Sequence, residues 1–284
     1  MNSNILKNFC ILIVSYNSEK KIRRLLSSIS KNITFYIVEN SLNLNIKKNL
    51  EKDFKNINVI IPKENLGFAN SLNLAVKKIN KKFIIYMDSD VKLKTSDILN
   101  LLSASKKINK FGAITPKIHK QDYKNLIVKK NKNGLNQVSF NTGCVMLMKK
   151  DILKKMKYFD NHFFLYFEES DYYKRCIEKG FPIYMYDKVK IIHEGSSSID
   201  DESRFEYKKI RNWHYCWSKF YYFKKHHGYL FGLSKTIPNL FKSIKNICIC
   251  FFKFEFYKIP LHYVEIEGLI CSYLLIKPFY RIKK

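Results

Sequence analysis

Cysteine in metal-binding spacing is missing from this chain of 284 residues. Its seven cysteines form no CxxC pair and no pattern with histidine, which argues against a zinc site. Most lie in apolar surroundings and read as reduced, buried thiols of a cytosolic protein. Arginine is scarce: six of the 52 basic residues. Base readout and bidentate phosphate recognition draw on arginine, so no specific nucleic-acid partner is expected. The opening residues do not run from a basic to a long apolar to a small-residue segment, and no signal peptide is expected. Apolar stretches near the C-terminus are too short to span a bilayer or are broken by Glu265 and Glu267. No internal repeat is found.

What remains is ample for a core. Apolar residues make up 46% and aromatics 15%, enough for one large domain or a domain with an appendage. A formal charge of +28 points to an anionic partner: nucleic acid, a phosphorylated ligand or an anionic membrane surface.

The first hundred residues alternate strand and helix signals. "FCILIVSY", "ITFYIVEN", "INVIIP" and "KFIIYMDSD" read as strands. Between them lie an amphipathic helix starting at a Ser18 cap, "LNIKKNLEKDF", and a turn and helix over "NLGFANSLNLAVKKIN". This βαβαβαβ rhythm implies a mainly parallel sheet with helices on both faces, whose ligands bind beyond the carboxyl ends of the strands. Tyr16 and Asn17, Glu39 and Asn40, and Asp88 and Asp90 all fall at that edge. Further on, residues 120–137 read as a long loop or irregular hairpin. "VSFNTGCVMLMKKDIL" reads as a strand entering a helix, and "FFLYFEESDYYKRCIEKG" as an aromatic segment leading into a helix that stops at Gly180. A strand then ends at His193, before Glu194, Gly195 and three serines, and from about residue 215 the pattern turns to aromatic, basic helices.

Two carboxylates two residues apart, as in Asp88-Ser89-Asp90, supply oxygen ligands for a hard Mg2+ or Mn2+ ion that also meets substrate phosphates. Glu168, Glu169 and Asp171 follow Phe163, Phe164, Tyr166 and Phe167. Acids in a first helical turn cap free N–H groups. Alternatively, the aromatics wall a pocket that raises a carboxyl pKa and makes a general base. His193, at a strand's end, is either structural or a third ligand beside Asp90.

"ILIVSYNS", "YIVEN", "NLGFANSLN", "YMDSD", "NTGCVML", "FDNHFFLYFEESDYYKRCIEKG" and "VKIIHEGSS" stand in the order seen in family 2 glycosyltransferases. Over residues 8 to 215 the chain resembles the bacterial rhamnosyltransferase and galactofuranosyltransferase branch of that family. The resemblance implies an α/β, GT-A-type, Rossmann-like mainly parallel sheet flanked by helices, with residues 1–215 as the catalytic domain. It also implies an inverting, metal-dependent transfer of a sugar from dTDP-rhamnose or a UDP-hexose. Val14, Tyr16 and Glu39 would meet the nucleotide, with Asp88 and Ser89 at the ribose or diphosphate. Asn65, Gly67, Asn70 and Asn73 would lie near the donor, or else form a turn and a helix start. Asp90 and His193 would hold the metal. Glu169 would be the base, with Glu168 as the alternative. Two positions depart from the family pattern: Glu168-Glu169 stands where Glu-Asp or Asp-Asp is usual, and Glu39 replaces a common aspartate.

Residues 216–284 form a separate basic and aromatic helical segment. Between 224 and 284 it carries 11 lysines and arginines against three glutamates. Rings interleaved with lysine suit an interfacial helix on an anionic membrane, and equally a helical cap or a dimer contact. The first reading fits a lipid-linked glycan acceptor in polysaccharide synthesis and a cytoplasmic enzyme on the inner face of the membrane. A basic nucleic-acid or membrane-binding protein without activity is the competing reading; it explains the lysines but not the ordered acids.

Overall fold

The computed structural model describes residues 7–193 and 201–281, with backbone only at 201–204. They divide into two units: residues 7–160 with 169–193, and residues 161–168 with 201–281.

The first unit is built on one sheet. Strands β1 (Phe9–Ser15), β2 (Phe35–Glu39), β3 (Ile57–Ile60) and β4 (Phe83–Met87) run parallel in the spatial order β3-β2-β1-β4. β1 is buried along almost its whole length, as a strand covered on both faces must be, hence its unbroken apolar run. The helices Glu19–Ser28, Leu44–Asp53 and Gly67–Lys78 make the crossovers, the first burying Ile22, Leu25 and Leu26 on one side. Ser18 does not cap that first helix with its side chain. Its hydroxyl instead donates to the Tyr16 carbonyl at 3.0 Å, tightening the turn that follows β1.

Beyond β4 come β5 (Val91–Lys92), β6 (Ala113–Ile118), β7 (Ile127–Lys129), β8 (Leu135–Val138), β9 (Val145–Lys149) and β10 (Ile183–His193). β9 inserts antiparallel between β4 and β6, and β10 runs parallel to β6. The sheet is therefore mixed, with its parallel half first. The expected irregular hairpin is β7–β8, which closes the edge beside β10. The short β5 pairs antiparallel with the end of β10 and sets His193 opposite Val91. That register carries the site.

The second unit holds the helices Asp201–His227, Tyr229–Phe252 and Ile259–Tyr273. The first begins well ahead of the compositional change near residue 215, because Trp213 and Trp217 lie within one continuous helix as part of this unit's core. Residues 161–168 belong to the same core: Phe163 packs on Tyr221 at 5.0 Å and Phe164 on His214 at 4.5 Å. Ser218 Oγ donates to the Leu165 carbonyl at 2.8 Å. The aromatic run read as a pocket wall is thus, at Phe163 and Phe164, core packing of the helical unit. Among the described residues no helix is long and apolar enough to cross a membrane. The turn at Glu194 and Gly195 and the serines after it lie outside the described residues.

Candidate active site

Chain direction brings the polar strand ends together. β1 and β2 are in register at Ser15 and Glu39, so both end at one edge of the sheet. Glu39 is fully buried. Ser15 Oγ donates to its Oε2 at 2.6 Å, while the backbone N–H groups of Asn17 and Ser41 donate to Oε1 at 3.0 and 2.9 Å. Asn17 takes a left-handed φ of 49°, which asparagine tolerates, and Glu39 holds it there. This glutamate clamps two turns together; its oxygens are committed to protein donors. Tyr16, in the turn so held, and Val14, in β1, are half-buried.

The next residue, Asn40, ties β2 to the "NLGF" turn. Its Oδ1 accepts from the Leu66 N–H at 3.2 Å, and its Nδ2 donates to the Gly67 carbonyl at 3.3 Å. Asn65 Oδ1 accepts from the Gly67 N–H at 3.0 Å, and Gly67 takes a φ of 69° that glycine adopts at little cost. Asn73 is occupied elsewhere: its amide both donates to and accepts from the Phe159 backbone, at 2.9 and 3.0 Å. Asn65 and Asn73 therefore shape the turn and anchor the helix. Asn70, between them, is half-buried.

Asp88, Asp90 and His193 come together. His193 Nε2 lies 3.3 Å from Asp88 Oδ2 and 3.2 Å from Asp90 Oδ1. One ligand atom from each falls within 4.8 Å of the others, forming a group able to hold a metal ion. The tight turn through half-buried Ser89 aims both carboxylates to one side, and the β5–β10 pairing delivers the imidazole. Bonds to Asp88 and then Asp90 push the His193 pKa up to about 10. Burial alone would raise Asp90, but its bond to His193, the imidazolium charge and Lys21 at 3.9 Å leave it below the ordinary carboxylate value. Two carboxylates that draw positive charge, and an imidazole that would give up its Nε2 proton to a cation in their place, make a donor set that fits a hard divalent cation.

Glu169 opens the helix Glu168–Glu178 and stands in the same unit. Its Oε2 is shielded from solvent and has no hydrogen-bond partner among the described residues. Burial first, offset by backbone N–H groups and reinforced by the Asp88 charge, pushes its pKa up to about 7. Just before this helix, Tyr166 and Phe167 take φ of 69° and 68°, two consecutive left-handed residues that each cost about 1–3 kcal/mol. Glu168, the alternative base, belongs to the helical unit. Asp171 is engaged by Arg175 at 2.8 Å, and Arg175 also donates to the Tyr158 carbonyl at 2.9 Å; this acid is structural.

Several participants went unread in the sequence. Gly143 packs on Glu169 so closely that a Cβ there would lie 2.9 Å from Glu169 Cγ. Its neighbour Cys144 accepts from the Asp88 N–H at 2.9 Å, so two consecutive residues touch both halves of the site. An isolated glycine at a strand entrance is the signal that was available. The Tyr86 hydroxyl donates to Asp88 Oδ1, a pairing that strand period two foretells. Lys21 gave no signal, being one lysine among many on an amphipathic helix.

Comparison with known proteins decides the class. Residues 10–171 match the model of Glycosyl transferase family 2, more than half of the chain. The chain belongs to this family. It is a glycosyltransferase. No curated protein of similar sequence is found. Solved structures of similar fold include the mannosyltransferase PcManGT from Pyrobaculum calidifontis in complex with GDP-Man and Mn2+. That match has a TM-score of 0.60 at 11% identity and covers 93% of this chain and 86% of that one. S. aureus TarS 1-349 in complex with UDP-GlcNAc matches at a TM-score of 0.53 and 16% identity, covering 94% and 90%. GalNAc-T7 with UDP, GalNAc and Mn2+ matches at 0.55 and 10%, covering 80% of this chain and 53% of that chain. At these identities the likeness carries the fold, which is GT-A.

Proposed function

We propose that this glycosyltransferase moves a sugar, with inversion at the anomeric carbon, from dTDP-rhamnose or a UDP-hexose to a lipid-linked glycan, in the manner of the rhamnosyltransferase and galactofuranosyltransferase branch. The reading places it in polysaccharide synthesis on the cytoplasmic face of a membrane. The observation that carries it is the Asp88-Asp90-His193 group with a half-buried glutamate in the same unit, Glu169, whose shielded Oε2 has no hydrogen-bond partner among the described residues.

Each side chain has a distinct task. Tyr16, in the turn that Glu39 braces, and Val14 line the nucleotide's place at the end of β1, with Ser89 and Asp88 beside the phosphate-bearing end. Asp90 and His193, joined by Asp88, hold Mg2+ or Mn2+. When bound, such an ion supplies positive charge against the leaving diphosphate. Glu169 removes the proton from the attacking acceptor hydroxyl; a carboxyl whose pKa sits near 7 is matched to that work at neutral pH.

A panel of nucleotide sugars, screened by thermal stabilisation with and without Mn2+, tests the reading. Stabilisation by one dTDP- or UDP-sugar that needs the cation and vanishes in Asp90→Asn is the expected result. Stabilisation that ignores both the cation and the substitution would reject the metal-dependent assignment. The configuration of the transferred sugar separates inversion from retention.

A further inference from the structure

The helix Tyr229–Phe252 leaves much of its apolar surface uncovered. Toward the unit's interior it buries Gly232, Thr236, Ser243 and Cys250, which are small or weakly polar. Thr236 Oγ1 donates to the Gly232 carbonyl, and Ser243 Oγ to Glu265 Oε2, so even the buried hydroxyls are satisfied. Leu233, Leu240 and Ile247 are half-buried, but a second apolar row faces outward: Leu230, Ile237, Phe241 and Ile244 stand exposed on a spacing of three, four and seven residues. A helix that packed only on its own domain would carry the opposite pattern.

This outward stripe runs into an aromatic tip. Phe252 and Phe254 are 85% and 81% exposed, and Phe256 and Tyr257 follow them outward. Phe254 holds a φ of 54°, the left-handed position after a helix that glycine usually fills. The ring placed there at a conformational cost stands edge-on to Phe256, itself exposed, and stays in water.

We propose that this face and its tip dock on an anionic lipid surface, with the rings at headgroup depth and the lysines on the phosphates. Charge selects lipid over a second copy of the chain. Lys235, Lys242, Lys245 and Lys253 are exposed along the same helix and tip. Of the three glutamates in this segment, Glu265 is turned to Asn212, Ser243 and His262, Glu255 to Lys258, and Glu267 is half-buried. Two copies of this face would meet like charge with like. Since no described helix can cross a bilayer, the attachment lies in the interface. The inference gives the membrane part of the proposed function a surface, and its test needs no sugar transfer, so either can fail alone.

Flotation of the full chain with vesicles of phosphatidylcholine, or of phosphatidylcholine with phosphatidylglycerol, tests it. The chain should rise with the anionic vesicles only, and added salt should release it. Phe252→Ser with Phe254→Gly should lower partitioning by about tenfold per ring. Because Gly suits the left-handed position, this variant should melt no lower than the parent, separating lost binding from lost folding. Lys242→Gln with Lys245→Gln should weaken binding by about fivefold per lysine. Equal partitioning of both variants and the parent, or equal binding to neutral vesicles, overturns the proposal. So does a dimer that binds no vesicles and whose mass halves in Phe252→Ser with Phe254→Gly, which would assign the face to a second copy.

Discussion

In the sheet unit the telling residues are polar, sit where strands stop, and are aimed by other polar groups. In the helical unit they are apolar, sit mid-helix or at a tip, and face outward. Glu39, Asn40 and Asp88 each have oxygens met by backbone or hydroxyl donors, whereas Phe241, Phe252 and Phe254 stay mostly exposed. The first arrangement fixes geometry and suits chemistry; the second leaves area bare and suits adhesion. Substitutions should therefore separate: activity is lost at the site residues of the first unit, whereas the outward apolar face of the second can be changed with neither activity nor lipid-free stability lost.

The largest effect is expected at Glu169. Glu169→Gln keeps the size of the side chain but removes the proton acceptor, so kcat should fall about 10²- to 10⁴-fold while nucleotide binding persists. Single-turnover rates beside calorimetric nucleotide affinities check this; near-parental turnover would move the base to Glu168.

The same residue links function to stability. Below pH 4.5 the folded and unfolded chains both carry the proton on Glu169. Between 4.5 and about 7 only the folded chain does. The stabilising effect of that proton is therefore complete at low pH and lost as pH rises toward 7, about 3 kcal/mol across the interval at 1.36 kcal/mol per pKa step. Glu169→Gln lacks this titration, so denaturant melts of the variant and parent should diverge by that amount, the variant gaining as pH rises. Turnover of the parent should run the other way, falling about tenfold per pH step below 7. Parallel stability curves would mean that Glu169 titrates like a solvated carboxyl.

Two glycines, one in each unit, sharpen the contrast. A Cβ on Gly143 would meet the Glu169 side chain at 2.9 Å, and one on Gly268 would meet the Trp213 backbone carbonyl at 2.5 Å. A side chain can give way, and a helix backbone cannot. Gly143→Ala should displace the base and lower kcat up to about 100-fold with little loss of stability. Gly268→Ala should cost about 1–3 kcal/mol from overpacking and leave kcat per folded molecule unchanged. Reversal of these outcomes would break the division of labour between the two units.

What the sequence made legible follows from the range of each interaction. The alternation of strand and helix in the parallel half, the acids at strand ends and the helix stop at Gly180 depend on local pattern, and each is visible in a few neighbouring residues. The antiparallel insertion of β9 depends on a long-range pairing that no window contains. Glu39 illustrates the same limit: its position at a strand end is written locally, but its three donors come from Ser15, Asn17 and Ser41, two of them on another strand's turn. Phe163 and Phe164 read as a pocket wall because they precede Glu168 in sequence; their partners Tyr221 and His214 lie some fifty residues later. The outward apolar row of Tyr229–Phe252 was equally hidden, since an apolar stripe in sequence does not say which way it faces.

The smallest effect discriminates most finely between an outward face and a covered one. Phe241 is 65% exposed on the stripe, whereas Phe163 is fully buried in the same unit. Phe163→Ala should cost about 3–5 kcal/mol, the usual loss for a large core ring. Phe241→Ser, measured in lipid-free buffer, should change stability by less than about 0.5 kcal/mol, because water already surrounds that ring in both folded and unfolded chains. A loss above about 1 kcal/mol in the second variant would mean that the stripe is packed against protein in solution, and the contrast between a chemical unit and an adhesive one would have to be redrawn.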